Sequence, residues 1–155
     1  MAIATAIKAQ REGVRQFIFM SSFSVFDGRV RVISENTVPN PVNAYGKSKL
    51  EAELGIRELE NSQFKVVIIR SPMVYGKGAK GDYPRLARIA RILPVFPDVD
   101  NRRSMIYIDN LCEFVRLMIE NEERGLFFPQ NREYVKTSEM VRLIAEAVGR
   151  NIRLI

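Results

Sequence analysis

Two short apolar runs, QFIFM at residues 16–20 and FKVVII at residues 64–69, determine the fold class. Nearly continuous apolar runs of this length predict strands that are buried on both faces, as in a parallel sheet. Residues 45–61 between them predict a helix, because Leu50 and Leu54 begin an apolar stripe among Glu and Lys. A strand, a crossover helix and a second strand together predict an α/β protein with a parallel sheet.

The rest of the chain continues this alternation of helices, strands and loops. Asp109 and Thr137 precede helical patterns that they can cap, and Gly149 follows the last of these patterns. The predicted elements are a helix at 1–11, a long loop at 21–43, a Gly-rich loop at 71–82, a basic helix at 83–93, a strand at 104–108, a helix at 109–121, a short strand at 126–128, a helix at 137–148 and a strand start at 151–155.

The composition excludes several classes of enzyme and metal site. The 155 residues contain no histidine and a single cysteine, Cys112. A Ser-His-Asp hydrolase, a Cys-His protease and a zinc centre are therefore excluded, and we predict no metal site. Proton transfer must use Tyr, Lys, Ser, Asp or Glu. The lone cysteine cannot form an internal disulfide, so we expect a cytoplasmic protein, and no segment approaches the roughly 20 apolar residues of a membrane span.

The net charge of +6 leaves three interpretations open. The densest basic segment contains Arg85, Arg88 and Arg91, with Arg102 and Arg103 after it. A solvated helical face and a pocket for an anionic ligand are both compatible with this spacing. A nucleic-acid surface is the third interpretation, but aromatic residues do not alternate with the basic ones as base stacking requires. We therefore expect no nucleic-acid partner, and the lack of a long apolar segment leads us to expect no membrane partner.

The sequence YGKSK at residues 45–49 offers acid/base chemistry without histidine. Tyr45 and Lys49 are four residues apart and share one face of the predicted helix. A free phenol, with a pKa of about 10, is a poor base at neutral pH, but a nearby ammonium and a helix N-terminus both stabilise a phenolate. The serines of segment 21–24 follow the first strand, at the end of a parallel sheet where ligands bind. A Tyr–Lys pair by itself is common on helices. The order of strand, serines and helix is what indicates a catalytic role for this pair.

The order FIFMSS at 17–22, PVNAYGKSK at 41–49 and VVIIRSPMVYG at 66–76 resembles the extended short-chain dehydrogenase/reductase superfamily. The nearest branch is the NAD-dependent nucleotide-sugar epimerases and dehydratases of the UDP-glucose 4-epimerase kind. The resemblance covers nearly the whole chain and implies a partial Rossmann-like parallel sheet, formed by its later strands, together with the substrate-binding region. It also implies NAD as cofactor, a nucleotide-sugar substrate such as UDP-galactose, and epimerisation through a 4-keto sugar.

The resemblance assigns roles residue by residue. Tyr45 matches the catalytic base, Lys49 the lysine that stabilises the phenolate and binds the nicotinamide ribose, and Ser22 the hydroxyl that positions the sugar. The other matched positions are Met20, Ser21, Pro72 and Val74 on the nicotinamide side, and Ser24, Met73, Lys77 and Arg103 on the substrate side. Helices that match residues 2–10 and 45–61 form the dimer interface in this family, so a homodimer is expected.

Departures from the family pattern leave the reaction open. UDP-hexose epimerases often carry asparagine at the position of Met73, and the family's usual histidine and aspartate fall at Tyr107 and Asn110. The dehydratases place an Asp-Glu pair where Phe23 and Ser24 stand, which favours an epimerase or a reductase over a dehydratase. A nucleotide-sugar reductase or another short-chain dehydrogenase is one alternative. A non-catalytic binding module, in which the Tyr–Lys pair is incidental, is the other.

The family's glycine fingerprint for the dinucleotide is expected upstream of Met1. Residues 76–81 match the pattern G-x-G-x-x-G, but residues 71–75 separate them from the preceding predicted strand and Pro84 stands at the start of the next helix. A dinucleotide fingerprint must follow its strand directly. A substrate-side loop with lysines near phosphate charge, or a plain surface turn, is therefore the better interpretation of this segment.

These observations predict that residues 1–155 form a single incomplete domain. Residues 1–70 are expected to carry the later part of the dinucleotide-binding sheet, and residues 71–155 mainly the sugar-nucleotide-binding region. The chain alone is expected to bind NAD weakly or not at all and to be inactive. Its first strand would then lack an upstream neighbour and expose an edge.

Overall fold

The computed structural model describes residues 1–30 and 32–155 of the chain. Its central sheet contains the strands Gln16–Ser22 (β1), Lys65–Ser71 (β2) and Gly125–Phe127 (β6) in the order β1-β2-β6, and both neighbouring pairs are parallel. The predicted α/β class with a parallel sheet is thus confirmed. The elements in chain order are α1 (Ala2–Arg11), β1 (Gln16–Ser22), a 3-10 turn (Phe23–Val25), α2 (Ala44–Arg57), β2 (Lys65–Ser71), β3 (Met73–Tyr75), α3 (Asp82–Ile92), β4 (Val95–Phe96), β5 (Met105–Tyr107), α4 (Ile108–Glu120), β6 (Gly125–Phe127), α5 (Thr137–Ala147) and β7 (Arg153–Leu154).

The two strands that determine the class differ in burial. Residues 66–70 of β2 are all buried, as predicted, because β2 lies between two other strands. The prediction was wrong for β1, which stands at the edge of the three-stranded sheet and leaves Met20 exposed. β1 is also longer than predicted, since Ser21 and Ser22 continue the pairing with β2 and do not belong to the following loop.

Other differences arise where side chains or short pairings set the boundaries. The predicted Gly-rich loop contains β3, which pairs with β5, and the sequence did not indicate the two-residue strand β4. Helix α2 ends at Arg57 and not at residue 61, because the Asn61 side chain accepts hydrogen bonds from the backbone N–H groups of Gln63 and Phe64 and turns the chain into β2.

Neither predicted helix cap is observed. Asp109 lies inside the first turn of α4, which begins at Ile108. Thr137 is the first residue of α5, and its backbone N–H donates to the side chain of Asn101 at 2.9 Å. The Asn101 amide returns a hydrogen bond of 3.0 Å to the Thr137 hydroxyl. The cap of α5 therefore comes from a residue far away in sequence, which a local pattern does not reveal.

The chain forms two compact units, with residues 1–71 and 113–129 in the first and residues 72–112 and 130–155 in the second. The division expected from the sequence at residue 70 counted 113–129 with the second part, whereas this segment returns to the first unit because β6 pairs with β2. The assignment of one part to the cofactor and the other to the substrate stays a prediction.

The core of the first unit lies between the sheet and helices α1 and α2. Ile56 of α2 packs with Phe64, Val66 and Ile68, all of which are 1% exposed or less. The two helices are in close contact, since a Cβ atom on Gly55 would stand 2.5 Å from Cδ1 of Ile3. This packing holds α2, which carries the YGKSK motif, against β1 and β2.

In the second unit, α3 and α5 pack around a smaller core of Ala90, Val141, Ala145 and Ile152. Two parallel pairs, β3 with β5 and β4 with β7, complete this unit. Within the described part of the chain, no helix combines the length and the apolar character that crossing a membrane requires.

Candidate active site

The candidate site begins at the N-terminus of α2. The Asn43 side chain caps this helix by accepting a hydrogen bond of 2.7 Å from the backbone N–H of Gly46. Tyr45 lies in the first turn and is 56% exposed. The free N–H groups of a first turn favour negative charge nearby. A phenolate on Tyr45 would therefore lie at the stabilising end of the helix.

Lys49 connects this helix to the carboxyl end of β1. Its ammonium donates a hydrogen bond of 2.7 Å to the carbonyl oxygen of Met20. The same nitrogen lies 4.8 Å from the ring centre of Phe19 and 5.6 Å from that of Tyr45. Partial burial lowers the pKa of Lys49 below its ordinary value, and the carboxylate of Glu53 partly offsets this effect. The predicted pairing of a cation with Tyr45 is thus present in the geometry.

Ser22 and Ser24 form a pair of hydroxyls at the end of β1. The Ser22 hydroxyl accepts a hydrogen bond from the backbone N–H of Ser24 at 3.1 Å and donates one of 3.2 Å to the Ser24 hydroxyl. Both residues are half-buried. The cap that Ser22 makes on the 3-10 turn fixes its side-chain orientation, which a residue that positions a substrate hydroxyl requires.

Gly46 allows α2 to approach this turn closely. A Cβ atom at position 46 would stand 2.0 Å from the carbonyl oxygen of Ser24 and 3.0 Å from Cβ of Pro41. No side chain fits into this space, so the glycine of the YGKSK motif is needed for the contact between helix and turn. No local pattern indicated this role for Gly46, because the atoms that approach it belong to Ser24 and Pro41 and not to its own helix.

A buried ionic cluster lies beneath the site and joins three elements of the first unit. Glu53 of α2 accepts three hydrogen bonds from Arg70 of β2, at 2.6 to 3.1 Å, and a further one from the Ser21 hydroxyl of β1. The Arg70 guanidinium carbon also lies 5.1 Å from the ring centre of Phe26 and 5.8 Å from that of Phe128. The Ser21 side chain is engaged in this cluster, so only its backbone remains for the predicted nicotinamide contact.

The second unit contains the other predicted site residues. Pro72 is buried, and Met73 and Val74 are half-buried in β3, where Met73 pairs with Met105. Lys77 is exposed in the loop after β3. Arg103 is exposed as well, and its backbone forms an antiparallel bridge with Val135.

The second unit contains a cluster of tyrosines that the sequence did not indicate. Tyr75 lies between Tyr83 and Tyr107, with ring centres 6.0 and 5.5 Å away. Its hydroxyl accepts a hydrogen bond of 2.9 Å from the side-chain amide of Asn131. The carboxylate of Asp109 raises the pKa of Tyr107. The wide sequence separation of these residues explains why no local pattern indicated the cluster.

The Gly-rich loop 76–81 directly follows a strand, contrary to the sequence interpretation, because residues 73–75 form β3. Gly76 has a φ of 122°, and a Cβ atom there would stand 2.7 Å from Ile108. Gly81, however, has no atom within 4 Å of its Cβ position. The last glycine of a dinucleotide fingerprint serves close packing of helix and strand, so the loop lacks this feature and the dinucleotide interpretation fails for a different reason.

Among the residues that the structure describes, no group of three or more carboxylate or thiolate side chains could hold a metal ion. The side chains that the structure brings together at the start of α2 carry a phenol, an ammonium and hydroxyl groups.

Comparison with known proteins identifies the family. Residues 1–128 match the model of the NAD dependent epimerase/dehydratase family. The chain belongs to this family. The resemblance that the strand, serine and YGKSK pattern indicated is thereby confirmed, and so is the Rossmann-like character of the sheet.

Two curated relatives and one solved structure with the same fold are similar to this chain of the epimerase/dehydratase family. It is 34% identical over 154 residues to a UDP-glucose 4-epimerase of Vibrio cholerae, and the match covers 94% of this chain and 47% of the relative. It is 31% identical over 156 residues to methionine adenosyltransferase 2 subunit beta of Danio rerio, with 93% and 47% covered. The crystal structure of a dTDP-4-dehydrorhamnose reductase from Clostridium acetobutylicum matches 99% of this chain and 54% of its own, with a TM-score of 0.82 and 23% identity. The chain spans about half the length of the curated relatives it matches.

The close approach at Gly46 generates a stability prediction. Replacing an ordinary helical glycine by alanine stabilises a protein by up to ~1 kcal/mol. Gly46→Ala is expected to have the opposite sign and to lower the free energy of unfolding by about 1–3 kcal/mol, because the new methyl group overlaps the Ser24 carbonyl. Gly28→Ala is the matched control, since nothing lies within 4 Å of its Cβ position. Urea unfolding of both variants checks the prediction, and equal effects would contradict it.

The environment of Lys49 generates a second prediction. In the ¹³C-dimethylated protein, Lys49 is expected to titrate below dimethylated free lysine, because burial disfavours its charge. Glu53→Gln should move the midpoint further down, since the Glu53 carboxylate raises the pKa of Lys49, whereas Glu51→Gln, an exposed change on the same helix, should leave it in place. NMR measures all three, after circular dichroism has shown that Glu53→Gln, which leaves Arg70 without its carboxylate partner, is folded. A rise towards the free-lysine value in Glu53→Gln would argue against this electrostatic description.

Proposed function

We propose that this chain provides the acid/base and substrate-side residues of an NAD-dependent nucleotide-sugar epimerase of the UDP-glucose 4-epimerase kind. The observation that carries the proposal is the arrangement at the start of α2. Tyr45 lies at the helix N-terminus, the ammonium of Lys49 is next to its ring, and the hydroxyls of Ser22 and Ser24 lie at the strand end that Lys49 contacts.

In the proposed reaction, the Tyr45 phenolate removes the proton of the sugar C4 hydroxyl, and a 4-keto sugar is the intermediate. Lys49 stabilises the phenolate by its positive charge, and the helix N-terminus acts in the same direction. Ser22 holds the reacting oxygen through its hydroxyl, which is oriented by the Ser24 backbone. After the 4-keto sugar has rotated and presents its other face, the Tyr45 hydroxyl returns the proton to O4.

The first unit contains groups that fit the nicotinamide-ribose side of NAD. Met20 is 37% exposed at the strand end where Lys49 binds its carbonyl, so a polar ligand can reach an ammonium, a phenol and backbone groups there. Bound NAD would supply a reversible hydride acceptor for C4. Lys49 and Tyr45 would bind the ribose, and Met20, with the backbone of Ser21, would line the nicotinamide. We also propose that the 155 residues alone bind NAD weakly, since loop 76–81 lacks the close packing of helix and strand that the last glycine of a dinucleotide fingerprint allows.

On the substrate side we propose that Ser24 and Met73 contact the sugar, while Lys77 and Arg103 contact the diphosphate. Pro72 and Val74 would lie near the nicotinamide. Lys77 and Arg103 are exposed cations, and among the described residues neither forms an ion pair, so both are available to phosphate oxygens. The relative of Vibrio cholerae, which is named for UDP-glucose, supports a UDP-hexose such as UDP-galactose as substrate. A homodimer through α1 and α2 remains part of the proposal.

Two alternatives have different support. A nucleotide-sugar reductase would use the same Tyr45 and Lys49, and product analysis on UDP- and dTDP-sugars separates it from an epimerase. A non-catalytic binding module is the second alternative, and the match to a protein that is named as a subunit, methionine adenosyltransferase 2 subunit beta, supports it. In that case substitutions of Tyr45, Lys49 or Ser22 would change the binding of a ligand, and no epimerase or reductase activity would be found.

Tyr45→Phe tests the proposed role most simply. In the protein at its full natural length, the variant is expected to lower kcat with UDP-galactose by roughly 10²–10⁴-fold, the usual contribution of a general acid/base. Its stability should hardly change, since the Tyr45 hydroxyl forms no hydrogen bond to any described residue and the ring is largely exposed. Tyr134→Phe is the control, because this tyrosine is also 56% exposed. Near-normal turnover in Tyr45→Phe would rule out the mechanism.

A further inference from the structure

Helix α3 in the second unit has a row of exposed arginines on its outer side. Arg85, Arg88 and Arg91 follow one another at intervals of three residues and are all exposed. Residues at this spacing share one side of a helix. The opposite side is occupied, because the buried Ala90 belongs to the core that α3 forms with α5. The outer row therefore faces solvent and is called here the cationic face.

The cationic face differs from the surfaces of helices α4 and α5, whose arginines are paired with carboxylates. Arg116 of α4 is paired with Glu113 and Glu120, and Arg142 of α5 is paired in the same way with Glu139 and Glu146. Such pairs at intervals of three and four residues neutralise a helix surface. Within residues 1–30 and 32–155, by contrast, no carboxylate forms an ion pair with any arginine of the cationic face.

The positive charge extends into the loop before α3. Lys77 and Lys80 are exposed there, and between them and the end of the helix the only acidic residue is Asp82. A local excess of cations without internal partners attracts anionic surfaces over roughly 8 Å at physiological salt. A partner that complements the charge of this segment therefore carries many negative charges.

Exposed apolar side chains accompany these cations. Ile92 is 63% exposed and lies seven residues after Arg85, on the same side of α3. Leu93 and Val95 follow directly, and each is 41% exposed. A phosphate backbone offers no partner for aliphatic groups, and base stacking requires aromatic rings. The aromatic residue of α3, Tyr83, packs on Tyr75. Aliphatic groups beside arginines fit the headgroup and acyl boundary of an anionic bilayer.

We propose that the cationic face, together with Ile92 and Leu93, is a peripheral docking surface for membranes that contain anionic phospholipids. The expectation from the sequence that there is no membrane partner relied on the lack of a spanning segment, whereas peripheral docking needs none. The proposal does not depend on the function proposed for Tyr45, because the experiment below measures binding of the chain without turnover.

Vesicle binding tests the proposal quantitatively. The chain is expected to co-sediment with vesicles of phosphatidylcholine and phosphatidylglycerol, and to release them as salt is raised. Each arginine close to an anionic surface contributes about fivefold to the binding constant, so the triple variant R85Q/R88Q/R91Q should bind on the order of 100-fold more weakly. The matched control is R57Q/R124Q/R132Q, which removes the same charge at exposed positions outside the face. Circular dichroism of both variants confirms folding.

Two further measurements decide between occupants. Ile92→Ser leaves the charge unchanged and should weaken vesicle binding several-fold if the apolar group enters the bilayer. Equal losses in the two triple variants, or equal binding to vesicles of phosphatidylcholine alone, would overturn the proposal. It would also be overturned if a DNA duplex bound more tightly than the anionic vesicles at the same salt and lost this binding in R85Q/R88Q/R91Q, since the face would then be a nucleic-acid surface.

Discussion

The carboxylate of Glu53 is buried with the guanidinium of Arg70, and the position of the candidate site depends on this ion pair. Glu53 is 1% exposed and Arg70 4% exposed. Neither charge can remain in such a place without the other, because an unpaired ion away from water costs several kcal/mol. The pair joins α2 to β2, and the Ser21 hydroxyl extends it to β1. One turn of helix before Glu53, Lys49 binds the carbonyl of Met20 on the same strand. These polar contacts of Glu53 and Lys49 therefore fix the orientation of α2 over the ends of the strands.

The fold and the candidate site could be predicted from the sequence to different degrees. The apolar runs of β1 and β2 indicated a parallel sheet, because a run of apolar residues can be recognised within a short stretch of sequence. Tyr45 and Lys49 were indicated because they too lie close together in the sequence, four residues apart on one helix. The Glu53–Arg70 pair and the Asn101 cap of α5 were not predictable, because each joins residues that are distant in sequence.

Burial and packing corrected two interpretations of individual residues. Ser21 lay within the predicted serine loop, but pairing with β2 turns its side chain towards Glu53. The YGKSK motif itself does not show why residue 46 is a glycine. Only the path of the 3-10 turn shows that the missing side chain allows close contact with Ser24. In both cases the deciding neighbour is supplied by tertiary structure and not by the residues next in the chain.

Membership of the NAD dependent epimerase/dehydratase family and the geometry of α2 support one account, in which a buried ion pair holds a Tyr–Lys helix against the end of a strand. A double-mutant cycle on Glu53→Leu and Arg70→Met tests this most directly, with the free energy of unfolding as readout. Each single variant leaves one buried charge and should lose about 3–5 kcal/mol, whereas the double variant should recover most of this loss. If the single variants do not fold and the double variant does, this result would also support the account. Losses that simply add would contradict the account.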